Sequence, residues 1–364
     1  MAELNNITAQ DFKVEGARRK LLWFAQYMNP KFKPTPFHTA YYRVLDMFAN
    51  GQIQNLIIQA PPQHGKSEGS SRNLPAKMLG MFPDKKIILC SYAATIAKDF
   101  NRDVQKIIDT PAYNAVYPET TLNGSNVVTV AANSLRNSDV FQIVGHTGEF
   151  RVVGRGGSLT SKTADVMIFD DLYKDSQEAN SPVIRAAAWD WYTKVAFTRL
   201  HNESQQLIVF TRWHPEDIIG KIIGNEQVIV VEKWADFDNI PKGAWVLVNF
   251  EAIKTSDPTE IDPREKGVAL WDERHSIERL EAMRKIDPVG FQCLYQGSPG
   301  DAAGRLYQPF KTWVDKADWG TLVRKGCYID VADEGNDFLA GATYDIYKST
   351  EQAWNEHKKR FETI

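Results

Sequence analysis

The segment Ala60-Pro-Pro-Gln-His-Gly-Lys-Ser67 sets a glycine, a lysine and a hydroxyl in succession, the residue types that hold the phosphates of a nucleotide. Gly65 lets the backbone approach an anion, and consecutive N–H groups at the start of a helix attract negative charge. Lys66 is long enough to reach terminal phosphates, and the Ser67 hydroxyl suits Mg2+. Pro62, Gln63 and His64 complete the loop that would wrap the nucleotide. Alanine stands at position 60, where the general motif has glycine, so a chance Gly-Lys-Ser in a loop competes with this reading and context must decide.

Farther along, the apolar run Val166-Met-Ile-Phe ends in Asp170-Asp171. Open α/β sheets bind ligands beyond the carboxyl ends of their strands. Asp170 there suits holding an Mg2+ ion through water, and Asp171 suits orienting or deprotonating an attacking water. Thr211-Arg212 closes another apolar run, in position to sense a γ-phosphate. Two aspartates that merely cap a strand are the bland alternative, and the phosphate loop upstream weighs against it.

These residues need a scaffold. Apolar runs alternate with helical patterns from Asn55 to Phe210, which predicts a mostly parallel sheet flanked by helices, the fold class of P-loop NTPases of the ASCE type. Strands are expected over Asn55–Ala60, Lys86–Tyr92, Val166–Phe169 and Gln206–Thr211, with a hairpin joining Phe141–His146 to Phe150–Val153. A helix should run from Lys66 through Met78, interrupted at Pro75. Ile96, Phe100, Val104 and Ile107 share one face of a helix over Thr95–Ile108. Helices are also expected over Pro182–Leu200 and Pro215–Ile223, the latter with proline in its first turn. Asp236–Asp272 reads as a connecting region in which Trp245–Phe250 forms an edge strand. Helices at Ile277–Ile286 and Val289–Tyr295, a Gly-Ser-Pro-Gly linker, strands at Cys327–Val331 and Leu339–Tyr347 and a charged tail from Asn355 follow. The expected division is a helical extension over 1–35, an ATPase domain over 36–235, a linker subdomain over 236–300 and a further fragment over 301–364.

Bulk composition sets limits. With 364 residues, 43% hydrophobic and 24% charged, the chain can bury a large core and exceeds what one core usually serves. A formal charge of -3 excludes a surface coated in basic groups, so any contact with nucleic acid must be a local patch. Cys90, Cys293 and Cys327 lack the paired spacing of a zinc site or disulfide framework. No apolar run approaches a membrane span, and the amino terminus lacks the pattern of a secretory signal, so a cytosolic protein is expected.

Five segments, APPQHGKSE, KIILCSYAATIAKDFNRDVQKIID, IFDDLYKDSQEANSP, AWDWYTKVAFTRL and IVFTRWHPEDI, resemble in order and spacing the ATPase domain of tailed-phage and prophage terminase large subunits. The likeness covers Pro36 to Gln296, and ALWDERHSIERLEAMRKIDPVGFQCLYQGSP is similar to the family's region joining ATPase to nuclease. The resemblance implies an ATP- and Mg2+-dependent motor that moves double-stranded DNA into a procapsid. It implies a portal protein and a terminase small subunit as partners, a homo-oligomeric ring, a pentamer, as the active form, and the cytoplasm of a bacterial host as its place. Lys66 and Ser67 carry over for nucleotide and Mg2+, Asp170 for Mg2+, Asp171 for the catalytic carboxylate and Thr211 for coupling.

Two departures bear on catalysis. Many relatives place an arginine beside the histidine of the phosphate loop, where this chain has Gln63, and another shortly before the second motif, where Lys162 stands. An arginine that reaches the transition state of phosphoryl transfer contributes about 10³- to 10⁵-fold. Arg155, in the loop Gly154–Gly157, is the expected donor to a neighbouring subunit's ATP, with Arg151 second and a plain surface arginine as the alternative. Phe37 and His38 lie where related ATPases contact adenine, although a core role suits Phe37 better. His146, His214 and His275 are isolated and read as core or solvated side chains.

Tyr328-Ile-Asp330-Val-Ala-Asp333, with Asp337 beyond, resembles the opening of the family's RNase H-like nuclease domain. Asp330 is the natural first metal ligand, assisted by Asp333 or Asp337. Two-metal cleavage needs several converging carboxylates, so the fragment reads as incomplete and this polypeptide alone is not expected to cut DNA. Two other readings remain: a helicase-like DNA translocase, which would carry a second similar sheet, and an inactive prophage remnant that binds nucleotide without turnover.

Overall fold

The computed structural model describes residues 8–122, 134–159 and 161–300, together with the backbone of 321–330, 340–348, 352–355 and 360–363. The chain divides into two units, Met1–Gly304 and Arg305–Ile364.

The first unit begins with α1 (Ala9–Arg19), α2 (Leu21–Met28) and α3 (Pro36–Ala49). Thr8 and Asp11 cap α1 reciprocally. At its other end the buried ammonium of Lys77 donates to the carbonyls of Ala17 (3.0 Å) and Arg18 (2.6 Å), groups that an α-helix leaves without partners. Strand β1 (Asn55–Gln59) follows, then a π-helical turn over Glu68–Asn73 that runs into α4 (Leu74–Met81). Pro75 sits in the first turn of α4, where its missing N–H costs little, so the expected interruption is this widened turn.

Next come β2 (Lys86–Ser91), α5 (Ala94–Ile108), α6 (Pro111–Val116), the hairpin strands β3 (Val140–Gln142) and β4 (Glu149–Gly154), and β5 (Ala164–Asp170). Then follow α7 (Ser176–Asn180), α8 (Pro182–Trp191), β6 (Leu200–Val209), α9 (Ile218–Asn225), β7 (Val228–Val230) and β8 (Trp245–Asn249). The eight strands form one sheet in the order β3-β4-β2-β5-β6-β1-β8-β7, and every pairing except β3 with β4 is parallel.

Alternation along the strands feeds two cores. Leu56, Ile58, Val166, Ile168, Leu207 and Val209 face one layer, with Leu45, Phe48, Phe100 and Val104 of α3 and α5. Ile57, Met167, Phe169 and Ile208 face the other, with Ala188, Trp191, Ile218 and Ile222 of α8 and α9. A strand buried on both faces reads as a continuous apolar run, which is why these were recognisable.

Three expectations change in this unit. The strand at Trp245 lies inside the sheet between β1 and β7, not at an edge, because the short Val228–Val230 strand covers it. Helix α9 starts at Ile218 rather than Pro215, since the Asp217 side chain accepts from the Gly220 N–H and fixes the cap there. The isolated α7 carried no apolar periodicity and was not expected. After β8, residues 250–300 carry α10 (Ile277–Ile286) and α11 (Pro288–Leu294) around a small core of Ala252, Ile253, Ala269, Leu280 and Phe291.

In the second unit β9 (Thr321–Asp330) pairs antiparallel with β10 (Ala340–Lys348), and β11 (Gln352–Asn355) with β12 (Arg360–Thr363). The expected charged tail therefore holds part of a strand pair. Asp330 ends β9 opposite Ala340, whereas Asp333 and Asp337 lie outside the described residues.

Candidate functional site

Strand β6 lies between β5 and β1, so the carboxyl ends of all three converge. Residues 60–67 leave the end of β1, Asp170 and Asp171 leave β5, and Thr211 follows β6. The loop after β1 curls tightly: Gly65 has φ 81° and Gln63 φ 59°, both in the left-handed region. Glycine enters that region freely and glutamine does not, so the Gln63 backbone is held under strain, a feature that clusters at ligand sites.

The widened turn over Glu68–Asn73 aligns the first residues of the following helix. The Lys66 carbonyl accepts from the hydroxyls of Tyr41 (2.5 Å) and Ser70 (2.9 Å). Ser67 Oγ donates to Asp170 Oδ1 at 3.1 Å, and the Ser71 hydroxyl donates to Asp170 Oδ2. Asp170 is 1% exposed, and burial, followed by the Asp171 charge, raises its carboxyl above the usual carboxylate range. A cation bound between Ser67 and Asp170 would offset that cost.

Lys66 Nζ lies 3.0 Å from Asp171 Oδ1 and 3.4 Å from Thr211 Oγ1. The Thr211 N–H donates to the same carboxylate oxygen at 3.2 Å. Asp171 itself has φ 43°, and its carbonyl accepts from the Tyr92 N–H at 2.9 Å. The sequence-predicted residues Gly65, Lys66, Ser67, Asp171 and Thr211 are thus brought together, with Pro62 and Gln63, on the wall of one cavity of about 710 Å3.

His64 takes a different place from the one expected of a loop ligand. Its ring is buried, with Nδ1 2.8 Å from the Pro62 carbonyl, and it stacks on His275 at 4.4 Å between centroids and 21° between planes. His275 Nε2 lies 3.4 Å from the Gln63 carbonyl, so this histidine is packed on the loop rather than isolated. His38 sits edge-on to Trp271 at 4.6 Å, and burial holds both His38 and His64 down at about 4. Phe37 packs on Phe250 in the core, while His38 lines the cavity.

The arginines depart from expectation. Arg155 donates to the Leu172 carbonyl at 2.6 Å and pairs with Glu178 at 2.8 Å, so its guanidinium is tied down within its own chain beside Asp171 rather than projecting toward a neighbour. Arg151 pairs with Glu149 at 3.1 Å. Arg212 does not face the cavity: Asp217, fully buried, grips its Nε at 2.8 and 2.9 Å. Sequence reasoning missed Ser71, although it stands one helical turn after Ser67. It also assigned no role to Trp271 and Arg274, which line the cavity from the segment after β8.

A mostly parallel sheet with a Gly-Lys-Ser loop opening a helix after one strand, two carboxylates after another and a third strand between them defines a P-loop NTPase fold. Within that class the family described as terminase large subunit, T4likevirus-type, N-terminal, matches residues 57–312, and the chain belongs to it. No curated protein matches the chain. Among solved structures, the Thermus phage P74-26 large terminase ATPase domain is similar at 15% identity and a TM-score of 0.44, over 79% of this chain and 96% of that one. The HK97 bacteriophage large terminase aligns at 13% identity and a TM-score of 0.44, over 80% of this chain and 55% of its own length. A large terminase from a thermophilic bacteriophage, in complex with ADP, aligns at 10% identity and a TM-score of 0.36, over 70% of this chain and 51% of its own. The chain therefore spans about half the length of the two whole large terminases. Among the described residues no helix is long and apolar enough to cross a membrane.

Proposed function

We propose that this chain is the ATP-hydrolysing unit of a phage DNA-packaging motor. The observation that carries the proposal is the convergence of Lys66, Ser67, Asp170, Asp171 and Thr211 at three adjacent strand ends, in a chain of the terminase family. Gln63 through Gly65 would cradle the phosphates with backbone N–H groups, Pro62 would wall the loop without donating, and Lys66 would neutralise the terminal phosphates. Asp171, held by Thr211, would orient the attacking water and take its proton. Thr211 touches both Lys66 and Asp171, so a change at the phosphates would reach the end of β6 through it.

The donor set fits Mg2+. A hydroxyl from Ser67 and a carboxylate from Asp170 leave the remaining positions for phosphate oxygens and water, as this small, octahedral ion requires. When bound, the ion neutralises phosphate charge. Arg155 would hold the turn that follows Asp171 through the Leu172 carbonyl, which is a positioning role in cis.

The same proposal places double-stranded DNA, a portal and procapsid and a terminase small subunit as partners, a ring of copies as the working form and the host cytoplasm as its setting. It includes Asp330, at the end of β9, as a metal ligand of a nuclease unit. ATP turnover measured with and without double-stranded DNA tests the core of it. Lys66→Ala should lower turnover at least about 10²-fold, since one preorganised charge contact at a transition state is worth that much. Turnover that survives the substitution would remove the phosphate site. Packaging with procapsids separates a terminase from a helicase-like translocase, and a chain that binds ATP with no turnover would be the remnant.

A further inference from the structure

The cavity at the phosphate loop is walled by two arginines, Arg72 and Arg274, and the loop residues 60–67 contain none. Arg72 is committed: its Nε pairs with Asp103 at 2.9 Å and its guanidinium lies over the Phe100 ring at 4.8 Å. Arg274 is exposed, lies 5.2 Å from the centroid of the Trp271 ring, and among the described residues has no carboxylate within ion-pairing distance. Its chain neighbour His275 touches the carbonyl of Gln63, at the strained apex of the loop, and stacks on His64. Arg274 is therefore carried beside the apex of the loop by two contacts that do not involve its own side chain.

Resting on the ATPase reading above, we propose that Arg274 is a catalytic residue in cis, an arginine that the segment after β8 delivers to the γ-phosphate. In hydrolysis the water oxygen bonds to the γ-phosphorus, and the bond to the β–γ bridging oxygen breaks with its electron pair staying on ADP. The water proton passes to Asp171. Charge grows on the γ-oxygens and the bridging oxygen, and the guanidinium donates N–H groups toward it. ADP has no γ-phosphate, so the contact is made with ATP and lost with product. Residues 250–300 would then be held to the loop more firmly in the ATP state than in the ADP state.

The test uses the full chain and compares Arg274→Ala and Arg274→Lys with the parent for binding of ADP, binding of a non-hydrolysable ATP analogue, and turnover. Arg274→Ala should weaken the analogue at least about 10-fold, the scale of one charge-assisted hydrogen bond, and leave ADP affinity within about twofold. It should lower kcat by about 10²-fold or more. Arg274→Lys should recover most of the analogue affinity but less of kcat, because a lysine supplies the charge without the fork of donors. Equal weakening of ADP and analogue would overturn the proposal by placing the side chain on the base, ribose or inner phosphates, and no change in either would overturn it too. A parent chain that hydrolyses ATP while the variant fails to discriminate sinks Arg274 alone. A parent that binds neither nucleotide sinks the ATPase reading and this proposal with it.

Discussion

Asp171 carries two constraints at once: a backbone in the left-handed region and a carboxylate that holds both Lys66 and the Thr211 N–H. Asparagine tolerates that backbone region as aspartate does, so Asp171→Asn removes the charge with little added strain. If this side chain takes the proton of the attacking water, turnover should fall by about 10²- to 10⁴-fold while nucleotide affinity stays within a few-fold. Steady-state turnover and a binding titration on one preparation check it, and unchanged turnover would take Asp171 out of the chemistry. Arg155 makes a different prediction. Because it grips the Leu172 carbonyl and Glu178 in its own chain, Arg155→Ala should cost turnover equally in dilute and in assembled protein, by about 10²-fold if the Asp171 turn shifts by an ångström. A loss seen only on assembly would restore the neighbour-facing role expected from the sequence.

At the scale of elements, α9 depends on one buried pair. Asp217 caps the helix through the Gly220 N–H and neutralises Arg212, and both side chains are buried. Asp217→Ala would leave the guanidinium buried and unpaired and uncap the helix, a loss of about 3–5 kcal/mol. Denaturant unfolding of the two proteins should show it as a lower midpoint. Asp217→Asn, which can still cap, should lose less. The pairing of α9 with Arg212 was not legible in the sequence, because Thr211-Arg212 reads as a strand end aimed at a ligand until the side chain of residue 217 is placed. What was legible had a local signature: the loop at 60–67, the apolar runs that end at Asp170 and Thr211, and the helical stripe of α5. What was not legible depended on distant partners. Val228–Val230 is too short to announce itself, so β8 was expected at an edge. His275 and Trp271 reach the loop after β1, and Arg274 the wall of the same cavity, from more than two hundred positions away, and only the folded chain shows it.

The seam between residues 250–300 and the rest of the first unit runs through the His64–His275 stack and the His38–Trp271 contact, which makes it sensitive to acid. Burial holds His38 and His64 at about 4, well below the ordinary histidine value of 6.5. Between these values the unfolded chain binds protons at both rings and the folded chain does not. Stability contributed by the neutral rings is thus fully present above about pH 6.5 and is lost as pH falls toward 4. Each ring accounts for on the order of 3 kcal/mol across that window, reduced by whatever hydration the opening seam allows. Unfolding midpoints measured from pH 7 to pH 4.5 should fall, and His64→Gln should flatten the slope. An equal slope in that variant would place the acid-sensitive groups elsewhere.

For the whole molecule, every side chain proposed for nucleotide chemistry lies in the first of the two units, with Lys66, Ser67, Asp171, Thr211 and Arg274 on the cavity wall and Asp170 buried behind Ser67. The cores on the two faces of the sheet and the small core around Leu280 and Phe291 also close within it. A unit with its own apolar cores and all of the residues proposed for the nucleotide site should fold and bind ligand without the other. A chain ending at Gly304 is therefore expected to bind a non-hydrolysable ATP analogue within about twofold of the full chain, and to show a single cooperative unfolding transition that the nucleotide raises. The size of that rise is set by mass action: at 100-fold excess over Kd, binding to the folded form alone adds about 2.7 kcal/mol. If the shortened chain instead loses affinity more than about 10-fold while its transition stays cooperative, residues 305–364 contribute to the phosphate site directly. If the transition itself broadens or disappears, they are needed for the fold, and the two-unit division is not one of stability.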